Sequence, residues 1–98
     1  MNRNTIEIEE LSEIIEMLKD RDKISQFLND MLTESELVDL TKRWRILKML
    51  KDGVSQREIS KELGVSLCKV TRGSKILRNE KSIITQYLKG EKNDYDKI

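Results

Sequence analysis

The chain has 98 residues, 38% of them charged, with no proline, no histidine, four glycines and one cysteine. That length suits one domain with a modest core, and the shortage of turn residues and aromatics excludes a β-sandwich or barrel. The lone Cys68 excludes an internal disulfide framework and fits a reducing compartment.

No apolar run is long enough for a transmembrane helix. Met1 to Glu10 is acidic and lacks the apolar core of a secretory signal. The expectation is therefore a cytoplasmic protein without a membrane partner. The net charge of +1 hides a division. Residues 1–41 carry four basic and eleven acidic side chains, residues 42–81 carry twelve basic and four acidic, and the remainder balances. A basic segment beside an acidic one suits a phosphate-facing surface. The alternative is that the two segments attract each other within a helical bundle.

The elements read as six helices. Leu11, Ile14, Ile15 and Leu18 repeat at helical spacing over about Glu7 to Lys19. Asp22 can start a second helix with Ile24, Phe27, Leu28 and Met31 on its apolar side. Thr33 with Glu36 forms a capping box for a third, about Glu34 to Lys51, whose stripe is Leu37, Leu40, Trp44 and Leu47. Gly53 is its stop. Ser55 with Glu58 repeats the box and opens a short fourth helix ending at Gly64. Ser66 caps a fifth, to about Arg78. A sixth runs from about Lys81 to Lys89 and stops at Gly90, leaving a polar, frayed tail over 91–98. The first two helices have wide apolar faces, to be packed against each other or against a second copy of the chain.

The sharpest local signal lies between Ser55 and Arg78. A short helix, a glycine able to take positive φ, and a longer helix make a helix-turn-helix. Ile59, Leu63, Val65 and Val70 fall on the inner faces, and Ser60 is small where the two helices approach. The outer face presents Gln56, Arg57, Leu67, Cys68, Lys69, Thr71, Arg72 and Lys75. The start of such a second helix enters the major groove. There Arg reads guanine, and apolar or Thr methyl groups touch thymine. An ordinary helical hairpin with a solvated basic face is the plain alternative.

Four blocks carry a family likeness: Leu28-Asn-Asp-Met-Leu-Thr33, Arg43-Trp-Arg-Ile46, Ser55-Gln-Arg-Glu58 and Thr71-Arg-Gly-Ser74. Together, over about Gln26 to Leu77, they resemble the tryptophan operon repressor family. The resemblance implies an all-α, intertwined homodimer of six-helix subunits, one domain over 1–98. It implies a palindromic double-stranded operator with reading heads about one DNA turn apart, a docking geometry of which this family is itself a standard example. It also implies L-tryptophan as corepressor, with no further cofactor. By the same likeness, Arg43 and Arg72 flank the indole, where a guanidinium stacks well. Arg72 and Thr33 bind the carboxylate, the main-chain carbonyls of Asp30 and Leu32 accept from the amino group, and Gly73 leaves space beside the ring. Gln56, Arg57, Ser60, Leu67, Cys68, Lys69, Thr71 and Arg72 make up the DNA face.

The chain departs from the best-known member of that family. The loop Gly53-Val54-Ser55 is one residue shorter. Ile76 stands where a serine helps bind the ligand's amino group, and it cannot hydrogen-bond there. Ser60 replaces a basic residue, Lys69 a threonine, and Ser66 the glycine after the turn. These changes leave room for a different operator, and for another indole ligand or none. Without histidine there is neither a His-based triad nor a His metal site, and no phosphate-cradling glycine loop appears, so catalysis is not expected. Outside DNA binding, the other class that fits is a helical protein-interaction module using residues 42–81. Of the single residues, Trp44 reads as core packing, a dimer interface included, Cys68 as a small apolar contact, and Thr33 as a cap that can also lie near a ligand.

Overall fold

The computed structural model describes the backbone of residues 6–96 and the side chains of residues 6–90. Every regular element among them is a helix, in agreement with the all-α expectation. The chain divides into two compact units, residues 1–38 and residues 39–98, with the boundary inside the third helix.

In the first unit, α1 (Ile6–Leu18) and α2 (Arg21–Met31) touch each other, yet neither buries a single residue. Leu11, Ile15 and Leu18, with Ile24, Phe27 and Leu28, reach only half burial. Ile6, Ile8, Ile14, Met17 and Met31 are exposed. One apolar side of this hairpin is therefore satisfied and another is left open. The link between the helices is tight. Lys19 adopts φ +53°, and Asp20 donates its N–H to the Leu18 carbonyl. Asp20, rather than Asp22, sets the start of α2, because its carboxylate accepts from the Asp22 N–H at 2.9 Å and satisfies an otherwise orphan donor.

The third helix, α3 (Glu34–Lys51), begins with the expected reciprocal box. Thr33 Oγ1 accepts from the Glu36 N–H at 3.1 Å, and Glu36 Oε1 accepts from the Thr33 N–H at 2.9 Å. It ends where Gly53 takes φ +90° and Val54 donates to the Met49 carbonyl. Its stripe is not quite the one the spacing predicts. Leu47 is buried and Leu37 half-buried, but Leu40 and Trp44 remain exposed, and Ile46 is the second buried residue. The reason is that α3 lays an adjacent row of side chains on the helices that follow.

Those helices are α4 (Gln56–Leu63) and α5 (Leu67–Arg78). Ile46, Ile59, Leu63 and Val70 form the buried cluster of the second unit, with Met49, Leu50, Val54 and Val65 packed against it. Then α6 (Ile83–Asp96) returns across α5. Its inner residues Thr85 and Leu88 are each 1% exposed, and Thr85 Oγ1 donates to the Ile76 carbonyl at 2.7 Å. The sequence places the start of this helix at Lys81 and its end at Gly90; both are corrected. Lys81 is held in a turn, its N–H donating to Asn79 Oδ1 at 3.0 Å, and Ser82 caps the helix instead. Gly90 does not take positive φ, so it carries no left-handed stop, and the helix continues through it. The expected frayed tail is thus helical to Asp96, while Lys97 and Ile98 lie outside the described residues. Among the described residues no helix is long and apolar enough to cross a membrane.

Lys19 is the one non-glycine residue with positive φ among those described. Lys19→Gly relieves its Cβ clash at the cost of added freedom in the unfolded chain. We expect a net gain of about 0.5 kcal/mol, read as a rise of a few degrees in the thermal midpoint.

Candidate nucleic-acid face and ligand cavity

The helix-turn-helix is built by small polar groups around one left-handed residue. Ser55 Oγ accepts from the Glu58 N–H at 3.2 Å and starts α4. Gly64 ends it at φ +65°, ψ +40°, a conformation that costs a side-chain-bearing residue about 1 kcal/mol or more. Ser60 Oγ then donates to the Val65 carbonyl at 2.6 Å, which ties the turn back to α4. Ser66 Oγ accepts from the Lys69 N–H at 3.3 Å and starts α5. Ile59 and Val70 are fully buried between the helices, and Leu63 nearly so. Val65 packs at the edge of this cluster.

What remains outside is the face expected from the sequence. Arg57, Leu67, Cys68, Lys69, Thr71 and Arg72 are all exposed. Leu67, at the first position of α5, is 46% exposed, so an apolar side chain stands open on this face. Gln56 is half-buried and is held across the two helices, since Thr71 Oγ1 donates to Gln56 Oε1 at 3.1 Å. Its carbonyl oxygen is thereby engaged, and its amide NH2 is left to donate to an acceptor such as a phosphate oxygen. Ser60 differs from the others. It is half-buried and spends its hydroxyl proton inside the turn.

Behind α5 the second unit holds a cavity of about 720 Å³, within the usual range for small-molecule sites. Its floor is apolar, formed by Trp44, Ile46 and Leu47 of α3, Gly73 and Ile76 of α5, and Ile84 of α6. Arg43 and Arg45 stand on the α3 side and Lys69 and Arg72 on the α5 side. Among the described residues none of these four cations makes an ion pair. Trp44 also leans on Tyr87, with ring centroids 6.1 Å apart and planes tilted by 46°. The cavity thus brings together Arg43, Arg72, Gly73 and Ile76 from the expected ligand set. Among the described residues its walls come from residues 40–84, and Asp30, Leu32 and Thr33 are not among them. Those three lie in the first unit, at the junction of α2 and α3. There Leu32 donates its N–H to Leu28, and Thr33 caps α3.

Gly73 has a second job that the sequence did not reveal. A Cβ at this position would lie 3.0 Å from Ile46 Cγ2 and 3.2 Å from Leu50 Cδ1. Its missing side chain is therefore what lets α5 close on α3. Lys69, expected only on the outer face, also lines the cavity, and Arg45 and Ile84 were not singled out at all. Arg45 is legible only as the second cation of an Arg-Trp-Arg run. Ile84 lies on α6, which carries no motif.

A family model described as Trp repressor protein matches residues 6–92. Proteins named Trp operon repressor homolog are similar to the chain. One from Vibrio campbellii is 35% identical over 78 residues, which is 76% of this chain and 78% of that one. One from Chlamydia trachomatis is 35% identical over 71 residues, covering 67% and 76%. One from Xylella fastidiosa is 42% identical over 59 residues, covering 59% and 64%. The chain therefore spans just under two thirds of the length of the Xylella relative. No solved structure matches the chain.

The close approach at Gly73 sets a stability prediction. Gly73→Ala gains helix propensity of about 1 kcal/mol but overpacks Ile46 and Leu50 at a cost of about 1–3 kcal/mol. We expect a small net loss. Gly73→Val should lose about 3 kcal/mol, because a branched side chain cannot be accommodated by shifting a methyl group. Chemical denaturation of both variants tests the ordering. Equal stability of all three proteins would show that α5 does not rest on α3 here.

Proposed function

Because the chain belongs to the Trp repressor family, we propose that it is a regulator rather than an enzyme: a sequence-specific DNA-binding repressor with L-tryptophan as its corepressor. The observation that carries this reading is the placement of one cavity directly behind the exposed start of α5. Arg43, Arg72, Gly73 and Ile76 line it, and Lys69 and Arg72 belong at once to the cavity and to the exposed surface of α5.

In this reading, α5 lies in the major groove with Leu67, Cys68 and Lys69 toward base edges. Gln56, Arg57, Thr71 and Arg72 hold the backbone and flanking bases. The fixed Gln56 amide is a phosphate donor. Ser60, with its hydroxyl committed to Val65, contributes by leaving space rather than by direct contact. Arg43 and Arg72 sandwich the indole, and Arg72 also meets the carboxylate.

The protein works as a homodimer on a palindromic operator, with reading heads about 34 Å apart. The unburied helices α1 and α2 support the dimer, since their exposed apolar side chains need a cover that a second copy would supply. Such a dimer also gives Asp30, Leu32 and Thr33 a route to the ligand through the other copy. One family match running over both compact units supports a single functional domain. Ligand binding raises the population of the DNA-competent head arrangement, by no more than its differential affinity for the two arrangements. The repressor then blocks promoters of tryptophan biosynthesis or transport genes, in the cytoplasm. The helical interaction module has less support, because nothing in it requires a ligand-sized cavity beside the basic face.

Calorimetric titration with L-tryptophan should show one site per chain, abolished by Arg72→Ala. Selection from random duplexes should return a palindrome bound more tightly with ligand present. Its affinity should fall steeply with salt, as expected for several phosphate contacts. Sequence-blind binding with no ligand response would reject the repressor reading.

A further inference from the structure

The outer face of the helix-turn-helix is one-sided in its hydrogen bonding. Arg57, Lys69, Arg72 and Lys75 are exposed and carry donors only. The polar side chains between them are turned inward. Gln56 Oε1 takes the Thr71 hydroxyl proton at 3.1 Å, Ser66 Oγ takes the Lys69 N–H at 3.3 Å, and Ser60 donates to the Val65 carbonyl. Thr71 keeps lone pairs, but it stands about one helical turn behind Leu67, the first residue of α5. At that leading end Leu67 is apolar, the Cys68 thiol is a weak partner, and Lys69 is the strong donor. Lys69 also stands where local chemistry favours an acid. Glu36 follows Thr33 by three residues and Glu58 follows Ser55 by three, each in the first turn of a capped helix. Ser66 caps α5 in the same way, yet the third residue after it is Lys69, and that turn holds no acid. A cation there opposes the helix dipole and forgoes the reciprocal box. Among the described residues it makes no ion pair. A charge held at a local cost to stability points to a partner outside the chain.

We propose that Lys69 is a specificity-determining residue of the DNA face: it donates to O6 and N7 of one guanine in each half-site, while the Thr71 bond keeps Gln56 from reading adenine. This rests on placing α5 in the major groove, and it deepens that reading by naming the base. In that groove guanine shows two acceptors and thymine one, whereas adenine and cytosine each show a donor. A helix start that offers donors alone therefore matches guanine best. Reading adenine takes an amide that accepts and donates together. The Gln56 oxygen is turned to Thr71, so only its NH2 faces outward, as a contact that any sequence can satisfy at a phosphate.

The test starts from duplexes selected out of a random pool by the full chain in excess L-tryptophan. Each guanine of the selected duplex is then replaced in turn by 7-deazaguanine, which lacks N7. Lys69 also borders the cavity, so every effect is read as a ratio between two duplexes for the same protein, in which a change of ligand occupancy cancels. One guanine per half-site should lose about tenfold in affinity on replacement, and Lys69→Met should erase that difference. Gln56→Ala should weaken the selected duplex and a scrambled one by the same factor. Lys69→Glu should raise the thermal midpoint of the free protein by a few degrees while binding to the selected duplex is lost. If no guanine responds, or if Lys69→Met weakens all duplexes equally and the guanine effect persists, Lys69 reads no base; the proposal fails and the repressor reading stands. A lower midpoint in Lys69→Glu shows that Lys69 serves the fold instead. A loss in Gln56→Ala confined to duplexes with one particular adenine overturns the role given to Thr71. A pool that returns no preferred sequence rejects the proposal and the repressor reading together.

Discussion

The second unit depends on the crossing of α5 over α3 at Gly73. The absent Cβ brings the α5 backbone down onto Ile46 and Leu50, and Ile46 in turn joins Ile59, Leu63 and Val70 in the buried cluster. Interiors are close-packed, so this contact has little slack. It fixes where the start of α5 stands and how much room remains between α5, α3 and α6. The cavity and the exposed face are two sides of one helix, and both inherit their position from a single missing methyl group. The Thr85 hydroxyl adds a second fastening, because it holds the Ile76 carbonyl and so anchors the far end of α5 to α6.

Much of this was legible in the sequence where local chemistry decides the outcome. Thr33 with Glu36, Ser55 and Ser66 are caps, and the structure uses each as one. Ile59, Leu63 and Val70 follow a helical period broken by Gly64, and they are the buried residues of the motif. Local reasoning failed where the outcome depends on a neighbour. Gly90 looked like a stop, but a stop needs positive φ, and nothing in the local sequence says whether that is adopted. Gly73 read as room for a ring because its partners Ile46 and Leu50 lie more than twenty residues away. Trp44 read as packing on the stripe of α3, a dimer interface included; within the single chain it is part exposed and lines the cavity beside Tyr87. Of the site, sequence blocks identified the α3 and α5 walls. The α6 wall, Ile84, had no signal because any apolar residue of the right size serves there.

The two halves of the chain are held by different means. In the second unit a buried cluster of aliphatic side chains holds α3, α4 and α5 together. Among the described residues of the first unit, α1 and α2 bury none. Its two helices pack against each other, and among the described residues its apolar side chains are at best half-covered. For helices of 13 and 11 residues, propensity alone gives marginal stability in water. The apolar side chains that both helices leave exposed are surface whose further burial would add to that stability.

Lys69 and Arg72 stand on two surfaces at once, the wall of the cavity and the exposed side of α5. A change at either position is read twice, once by whatever sits in the cavity and once by whatever lies against the helix. On the proposed function, small-molecule preference and partner preference are therefore not free to drift apart over evolutionary time. A lineage that altered its ligand through these residues would have to alter its binding site on the partner in step. Divergence is easier through residues such as Ile84, which belong to the cavity alone.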